Sequence, residues 1–312
     1  MEVANLGVDP TANRHAQTAG AAFTGLADTL TRAFHLNLLE LTASDDPDPV
    51  HKARVALRRF RAALTAFSPI LDQGFARDMQ KRSRALFRVL GDIRDADVMA
   101  DRLADSARAA EMVKLAVAQR RKARKHLKRK KAAAFRDRVV RRVTGKGWRA
   151  GGKAAKASRK APVEVLAAVA LDRAWATCVT NGPDLRTMSP RARHELRKDL
   201  KSLRYISEFF CDLWQRKGQD DFLTTLRGLQ DDLGALNDMA LARSLGHPDT
   251  TDGTVALARA AGAWSRLLSM TRWWGQAGGA PSLRRHSPAT RGQAAPAHLS
   301  ATDVPSPGKA PG

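Results

Sequence analysis

Histidine, arginine and lysine side chains recur at helical spacing in two stretches of this chain. In the first stretch, His51, Arg54, Arg58 and Arg61 are separated by three, four and three positions. At about 100° per residue, these side chains fall within an arc of roughly 80° on one helix face. No acid lies between positions 50 and 71, whereas an ordinary solvated helix face mixes acids and bases one turn apart. A cationic face without acids favours an anion-binding site over a merely solvated surface.

The same pattern returns 143 positions later, at His194. One register without a gap matches residues of the two stretches from position 51 to position 95: His51 with His194, Arg54 with Arg197, Leu57 with Leu200, Arg58 with Lys201, Arg61 with Arg204, Phe67 with Phe210, Arg84 with Arg227, Leu90 with Leu233, Gly91 with Gly234 and Asp95 with Asp238. A register held over that length indicates an internal duplication.

Apolar residues accompany each basic stripe on a neighbouring helix face. In the first stretch these are Ala53, Leu57, Phe60 and Leu64, centred about 110° from the basic residues. Each helix should therefore bury one face in a core and direct its basic face elsewhere. Similar spacing predicts helices over 22–41, 75–90, 163–179 and 222–233, two more between 97 and 142, and the remainder within 254–274.

Helix ends are predicted from local residue types. Asp48 and Ser189 are expected N-caps, each followed by a proline at the first helical position. Gly91 is expected to end its helix as a C-cap. Asp95 and Asp238, just beyond the paired glycines, are expected to cap the next helices and to hold an arginine in place rather than to bind a metal.

The paired runs resemble those of the CHAD (conserved histidine α-helical domain) family. The resemblance consists of His-x-x-Arg-x-x-x-Arg-Arg-x-Arg at His51 with a weaker copy at His194, and Leu-Gly-x-Ile-Arg-Asp at Leu90 with Leu-Gly-x-Leu-Asn-Asp at Leu233. It implies an all-α fold of two pseudo-symmetric four-helix bundles with a basic groove or pore between them. It also implies non-catalytic binding of inorganic polyphosphate. Some members are associated with polyhydroxyalkanoate granules.

On this basis the chain divides into three parts. Residues 1–21 are expected to be a flexible N-terminus and 276–312, rich in Pro, Ser, Gly, Ala and Arg, a disordered tail. The CHAD domain is expected over 22–275, with a first half at 22–143, a flexible basic linker at 144–161 and a second half at 162–275. The last helices of the second half are shortened, and their basic residues reduce to Arg259, Arg266 and Arg272.

The net charge of +23 and the pI of about 11.1 point to a polyanionic partner. Between positions 114 and 160 there are 20 Lys and Arg residues against one acid, Asp137. Two cysteines give neither a disulfide framework nor metal-ligand spacing, and the sequence shows no secretory signal and no transmembrane segment. A cytoplasmic location is expected, with association with polyphosphate or storage granules as a further expectation.

The predicted polyphosphate-binding residues combine both stripes, their neighbours and basic residues at positions implied by the family. Arg84 is included because Arg227 is its counterpart, and Arg88 is included although Asp231 occupies the equivalent position. The full set is His51, Arg54, Arg58, Arg59, Arg61, Arg84, Arg88, Arg120, Arg121, Arg124, His194, Arg197, Lys198, Lys201, Arg204 and Arg227.

Three other functions compete with this one. Non-specific nucleic-acid binding, or attachment to a polyhydroxyalkanoate granule, would use the same cationic surface, although the stripes carry few aromatics for stacking bases. A phosphohydrolase is disfavoured because the sequence lacks a Glu-x-Glu-x-Lys motif near its start and paired carboxylates for magnesium. Metal binding by His51 and His194 is disfavoured by their cationic neighbours. We therefore expect no enzyme activity, no cofactor and no metal.

Overall fold

A computed structural model describes residues 17–102, 109–129, 131–214, 216–244 and 253–274, and the statements below concern these residues. They form α-helices joined by short connections, with two 3-10 turns and isolated β-bridges but no β-strand, so the all-α prediction is confirmed. None of these helices is both long and apolar enough to cross a membrane. The helices are α1 (Ala19–Ala43), α2 (Asp48–Ala66), α3 (Gln73–Arg102), α4 (Ala109–Arg129), α5 (Ala134–Thr144), α6 (Lys153–Lys160), α7 (Val163–Asn181), α8 (Pro190–Phe210), α9 (Gln219–Ser244) and α10 (Gly253–Ser269).

In the first half, α2 packs between α1 and α3, while α4 packs on α3 and α5 on α1. The apolar stripe predicted for α2 is buried, with Leu57, Phe60 and Leu64 each at most 2% exposed. Phe135 of α5 makes edge-to-face contacts with Phe34 and Phe60 at centroid distances of 5.6 and 5.7 Å. Such aromatic pairs add to the stabilisation from area burial.

The second half repeats this order, with α8 between α7 and α9 and with α10 packed on α9. Its core is richer in tryptophan. Trp175 lies 5.6 Å from Trp264 and 5.8 Å from Phe222 between ring centroids. The indole nitrogen of Trp264 donates to the carbonyl of Gly182 at 2.7 Å, so the polar end of this buried ring is satisfied.

The two halves touch at equivalent positions of the repeat. Phe67 and Phe210 are 5.7 Å apart between ring centroids. At the starts of α1 and α7, Ala19 N–H donates to Ala161 and Val163 N–H donates to Gln17, each at 3.0 Å. One hydrophobic core runs through both halves. The basic stripes of α2 and α8 are therefore held side by side, because α2 packs against α8.

The predicted flexible linker at 144–161 is instead a structured segment. It contains α6, which packs on α1. Trp148 is buried, and its carbonyl accepts from the Asp72 N–H at 2.7 Å. Ala150 N–H donates to the Ile70 carbonyl at 3.0 Å. Backbone hydrogen bonds and a buried indole fix this segment to the first half, which the Gly, Ala and Lys content did not reveal.

The N-terminal prediction is partly wrong for a similar reason. Thr18 is the N-cap of α1 and accepts from the Ala21 N–H at 3.2 Å, so the helix begins inside the segment expected to be flexible. The rest of that segment, 1–16, lies outside the described residues, as does the tail predicted at 276–312.

The structure confirms the predicted N-cap of α8 but not the other predicted helix ends. Ser189 caps α8 as predicted, accepting from Ala192 N–H at 3.2 Å. Asp48 is instead the first helical residue of α2, whose N-cap is Pro47. Gly91 does not end a helix, and Asp95 does not begin one, because α3 runs without interruption through both.

Gly234 and Asp238 are likewise interior to α9. A glycine inside a helix costs about 0.5–1 kcal/mol relative to alanine. These two glycines therefore need another physical reason, which the site supplies.

Candidate anion-binding site

Arg54 and Arg197 are held in the same way in the two halves. Arg54 Nη1 donates to the carbonyl of Phe87 at 3.3 Å, and Arg197 Nε donates to the carbonyl of Gln230 at 3.4 Å. Positions 87 and 230 are themselves equivalent in the repeat. Each half-buried guanidinium is thus fixed against the following helix, so the duplication extends to individual hydrogen bonds.

Gly91 and Gly234 make room for these arginines. A Cβ at Gly91 would lie 2.8 Å from Arg54 Nη1, and a Cβ at Gly234 would lie 2.9 Å from Arg197 Nη2. A side chain at either position would push the guanidinium away from the helix. The Leu-Gly runs therefore serve to seat an arginine rather than to end a helix.

Arg58 joins the two stripes. Its Nη1 donates to the hydroxyl of Tyr205 on α8 at 3.4 Å. Its guanidinium carbon also lies 5.3 Å from the centre of the Phe87 ring, which carries Arg54 at 4.2 Å. Cation–π contacts of this kind hold a guanidinium in place without removing its charge.

Lys201 shows that the cations of both halves converge. Burial, together with the charges of Arg58, Arg197, Arg204 and Arg54, lowers the pKa of Lys201 to about 7. Two of these arginines belong to α2 and two to α8. A lysine in such surroundings gains from any bound anion, which would restore its ordinary protonation.

The neighbouring arginines are desolvated as well. Burial is the largest cause that lowers the pKa of Arg54, Arg61 and Arg197. Arg61 Nε donates to Gln80 Oε1 at 3.1 Å, and the charge of Arg84 also acts on Arg61. Nearby carboxylates oppose the effect only in part: Asp95 acts on Arg54. Asp238 acts in the same sense on Arg197.

The two histidines have different partners. The pKa of His51 is lowered by burial and next by the charge of Arg94, with Asp48 opposing. His194 Nδ1 lies 2.6 Å from Asn237 Oδ1, a distance that fits an Nδ1–H donor. Arg94 and Asn237 occupy the same position of the repeat. The charge of a cation therefore acts on one histidine, whereas the other contacts a neutral amide.

Comparison with known proteins agrees with the motifs. A family model described as CHAD domain matches residues 26–247. The chain belongs to the CHAD domain family. This confirms the resemblance carried by the runs at His51 and Leu90.

A solved CHAD domain structure has the same fold. The crystal structure of the CHAD domain from the plant Ricinus communis matches with a TM-score of 0.57 and 19% sequence identity, covering 83% of this chain and 90% of that chain. PptA from Streptomyces chartreusis matches with a TM-score of 0.46 and 15% identity, covering 81% of this chain and 98% of that one. No curated protein matches the sequence closely enough to count as a relative.

Several predicted site residues of this CHAD domain already have a carboxylate partner. Glu208 lies 3.2 Å from Arg59 and 3.7 Å from Arg204. Lys198 pairs with Glu195 at 2.7 Å, with both side chains more than half exposed. Arg204 still contributes to the charge around Lys201. Arg59 and Lys198 therefore each have a carboxylate within 3.2 Å in this structure.

Two of the arginines predicted from the family pattern of the CHAD domain have structural roles. The Arg120 side chain is only 5% exposed; it binds Asp97 at 2.6 Å and the carbonyl of Asp46 at 2.9 Å. Burial raises the pKa of Asp97, although Arg120 opposes the shift. Arg124 donates to the carbonyls of Leu41 and Ser44 at 3.0 and 2.6 Å, so it caps the end of α1. Neither side chain is free to bind a ligand in this arrangement.

The remaining predicted residues are exposed. Arg84 and Arg88 lie on α3, Arg227 on α9 and Arg121 on α4. Arg121 lines a shallow groove on α4 with Val113 and other residues of that helix rather than with α2 or α8.

Three residues at the CHAD-domain site were missed by sequence reasoning. Arg94 lies inside the quoted Leu-Gly-x-Ile-Arg-Asp run, and its replacement by Asn237 in the second copy was a usable signal. Tyr205 is the only tyrosine of the chain and follows Arg204 directly. Phe87 gave no signal, because its place beneath two arginines depends on how α2 and α3 pack.

Proposed function

We propose that this protein binds inorganic polyphosphate without catalysis, in a basic groove between two four-helix halves related by a local twofold axis. The observation that carries the proposal is that α2 packs against α8, so that the charges of Arg54 and Arg58 act on Lys201 together with those of Arg197 and Arg204. The contacts between equivalent positions, such as Phe67 with Phe210, support the twofold relation.

The chemistry of the cluster suits a chain of phosphates. Arginine forms paired hydrogen bonds to phosphate oxygens, whereas lysine acts as a compact point charge. Half-buried cations that lack full carboxylate compensation are unfavourable alone, and they are stabilised when an anion replaces their lost water. A linear polyanion can satisfy the stripes of both helices at once, which a single small anion cannot.

Nucleic acid or a granule surface is the competing partner. Proteins that bind single strands without sequence preference stack bases on exposed aromatic rings. At this site Tyr205 is only 3% exposed and Phe87 lies beneath Arg54. The described cluster thus suits phosphate better than bases. Duplex binding through the dense basic residues of α4 to α6 would be a separate activity.

The test is binding of labelled long-chain polyphosphate to the purified protein at roughly physiological salt, with duplex DNA as competitor. The variant carries R54A, R58A, R197A and R204A together. The matched control removes four exposed lysines of α4, K114A, K122A, K125A and K128A, and so the same number of charges. Circular dichroism during heating checks that both variants fold.

The expected result is tight binding that resists DNA, falls by about 100-fold or more in the arginine variant and changes only a few-fold in the lysine control. Because displaced counterions contribute to the affinity, binding should also weaken steeply with salt. If DNA competes equally and the lysine control loses as much as the arginine variant, the site lies on α4 and the proposal is wrong.

A further inference from the structure

One face of α3 and the same face of α9 touch the paired arginines but carry different charges. Arg88 and Asp95 fall within about 60° of Gly91 around the helix, so they share the face that seats Arg54. Asp231 takes the place of Arg88 on α9. There its negative charge acts on Arg197. The residue beside Gly91 and Arg54 is therefore an arginine, whereas the equivalent residue beside Gly234 and Arg197 is a carboxylate.

The histidine positions differ in the same direction. Arg94 lies close enough to act on the pKa of both His51 and Arg54. Its counterpart Asn237 is neutral, and Asn237 Oδ1 lies 2.6 Å from His194 Nδ1. The first half thus has a second additional cation next to its histidine.

Acids occur along α8 but not along the matching stretch of α2. Glu195, Asp199 and Glu208 lie on α8, whereas the matching stretch of α2 has none. Glu195 pairs with Lys198, and Glu208 lies 3.7 Å from Arg204 and 3.2 Å from Arg59 of α2. Part of the positive charge of α8 is therefore already compensated.

The last helices of the second half add no free cations among the described residues. Arg259 pairs with Asp232, Arg266 with Asp221 and Arg272 with Asp172, at 2.8, 2.7 and 2.8 Å. The shortened end of this half does not offset the charge that α8 and α9 have lost.

From these differences we infer that the two halves of the site differ in affinity. The first half anchors bound polyphosphate, because it has the additional cations Arg88 and Arg94. A phosphate chain too short to span both halves binds at the first half, and the second half only extends the contact for long chains. This inference rests on the proposed polyphosphate binding.

Arg84 and Arg227 provide a matched pair of probes. Both are exposed arginines at the same position of the repeat, on the same face of equivalent helices. Tripolyphosphate and long-chain polyphosphate would be titrated into the full chain and its variants by calorimetry at one pH and salt concentration. R84A should weaken tripolyphosphate binding by about 10-fold, whereas R227A should change it by less than about 2-fold. Long chains should lose affinity in both variants.

The double variant R88D/R94N gives the first half the residues of the second. Arg88 is exposed and Arg94 is partly exposed on α3, and substitutions at such positions seldom disturb folding. It should lose at least about 10-fold in tripolyphosphate affinity, while the reciprocal D231R should strengthen binding at the second half, seen as a second bound tripolyphosphate per chain.

Equal losses in R84A and R227A, or unchanged tripolyphosphate binding in R88D/R94N, would overturn the inference. Binding of long chains with no binding of tripolyphosphate would overturn it too, because an anchor must hold a short chain alone. Absence of binding to polyphosphate of any length would instead overturn the proposed function, and the anchor with it.

Discussion

Arg54 lies over Gly91 in the first half as Arg197 lies over Gly234 in the second, whereas the charge of Arg94 acts on His51 and His194 contacts Asn237. The shared contacts are sterically coupled, because a side chain at the glycine would displace the arginine. The residues that differ lie at partly or fully exposed positions, where a change of charge costs the fold little. The comparison shows that both halves retain the glycine that makes room for an arginine. The charges of the residues around that arginine differ between the halves.

The halves also differ in one buried ion pair. Asp97 and Arg120 are joined at 2.6 Å with side chains 6% and 5% exposed, and an alanine, Ala240, stands at the position equivalent to Asp97. Removing one member of a buried pair leaves the other charge uncompensated, which costs about 3–5 kcal/mol. D97A should therefore lower the free energy of unfolding by about that amount in a urea titration.

The double variant D97A/R120M tests whether the charge itself causes that loss. Because an apolar side chain of similar size removes the stranded cation, it should recover most of the stability. A double variant as unstable as D97A would contradict this account.

The glycine seats provide the next test. G91A and G234A should each weaken binding of long-chain polyphosphate by about 10-fold, because the new methyl group displaces Arg54 or Arg197. Folding should be unharmed, since the displaced atoms are the ends of flexible side chains and alanine favours the helix. G228A in α9, where a Cβ would meet nothing within 4 Å, is the control and should bind normally. Loss of stability without loss of binding would show that the glycines serve the fold alone.

Lys201 takes the position in the second half that Arg58 takes in the first. Burial and the charges of four nearby arginines hold the pKa of Lys201 at about 7, below its ordinary value of 10.5. A bound polyanion raises that pKa, so binding takes up a proton above pH 7 and the affinity should fall several-fold between pH 7 and pH 8. Calorimetry in buffers of different ionisation enthalpy would measure the proton uptake.

K201R makes the second copy match the first and should remove this dependence, since arginine stays charged. The same shift affects stability with a defined sign. Between pH 7 and pH 10.5 the unfolded chain binds more protons at Lys201 than the folded one, so its contribution to stability rises with pH. A K201R variant with an unchanged pH profile would assign the dependence to another group.

Tyr205 should give the smallest effect. Its hydroxyl accepts from Arg58 at 3.4 Å, and its counterpart in the first half is Ala62. Y205F retains the ring beneath Arg204 and removes one long hydrogen bond, worth about 0.5 kcal/mol. Polyphosphate affinity should fall about 2-fold by the same titration. A loss greater than 10-fold would mean that the hydroxyl contacts the ligand directly.

Helix interiors were predictable because apolar residues recur at helical spacing. The repeat was predictable because the same residue types return at a constant separation along the chain. The buried stripe of Leu57, Phe60 and Leu64 lies on α2 as its period indicated. The helix ends at Gly91 and Asp95 were not predictable, because the usual reading of glycine as a terminator is overridden by Arg54 from another helix.

The linker at 144–161 shows the same limit. Its composition is that of a flexible segment, yet Trp148 is 1% exposed and ties the segment to the end of α2 and the start of α3 through Asp72. One buried indole outweighs a run of small and basic residues, and its burial depends on Phe23, at 4.9 Å between ring centroids.

The sequence by itself determined the all-α class, the duplication, the family and the two basic stripes, because these follow from residue types at fixed spacing along the chain. Tertiary structure decided which cations are free. Arg120 donates to the carbonyl of Asp46, 74 positions away, and Arg124 donates to the carbonyl of Leu41, 83 positions away. Arg54, Arg58 and Lys201 converge across the two halves. Whether a charge meets a carbonyl, a carboxylate or an open cleft depends on which helices pack together, and spacing along one helix does not contain that information.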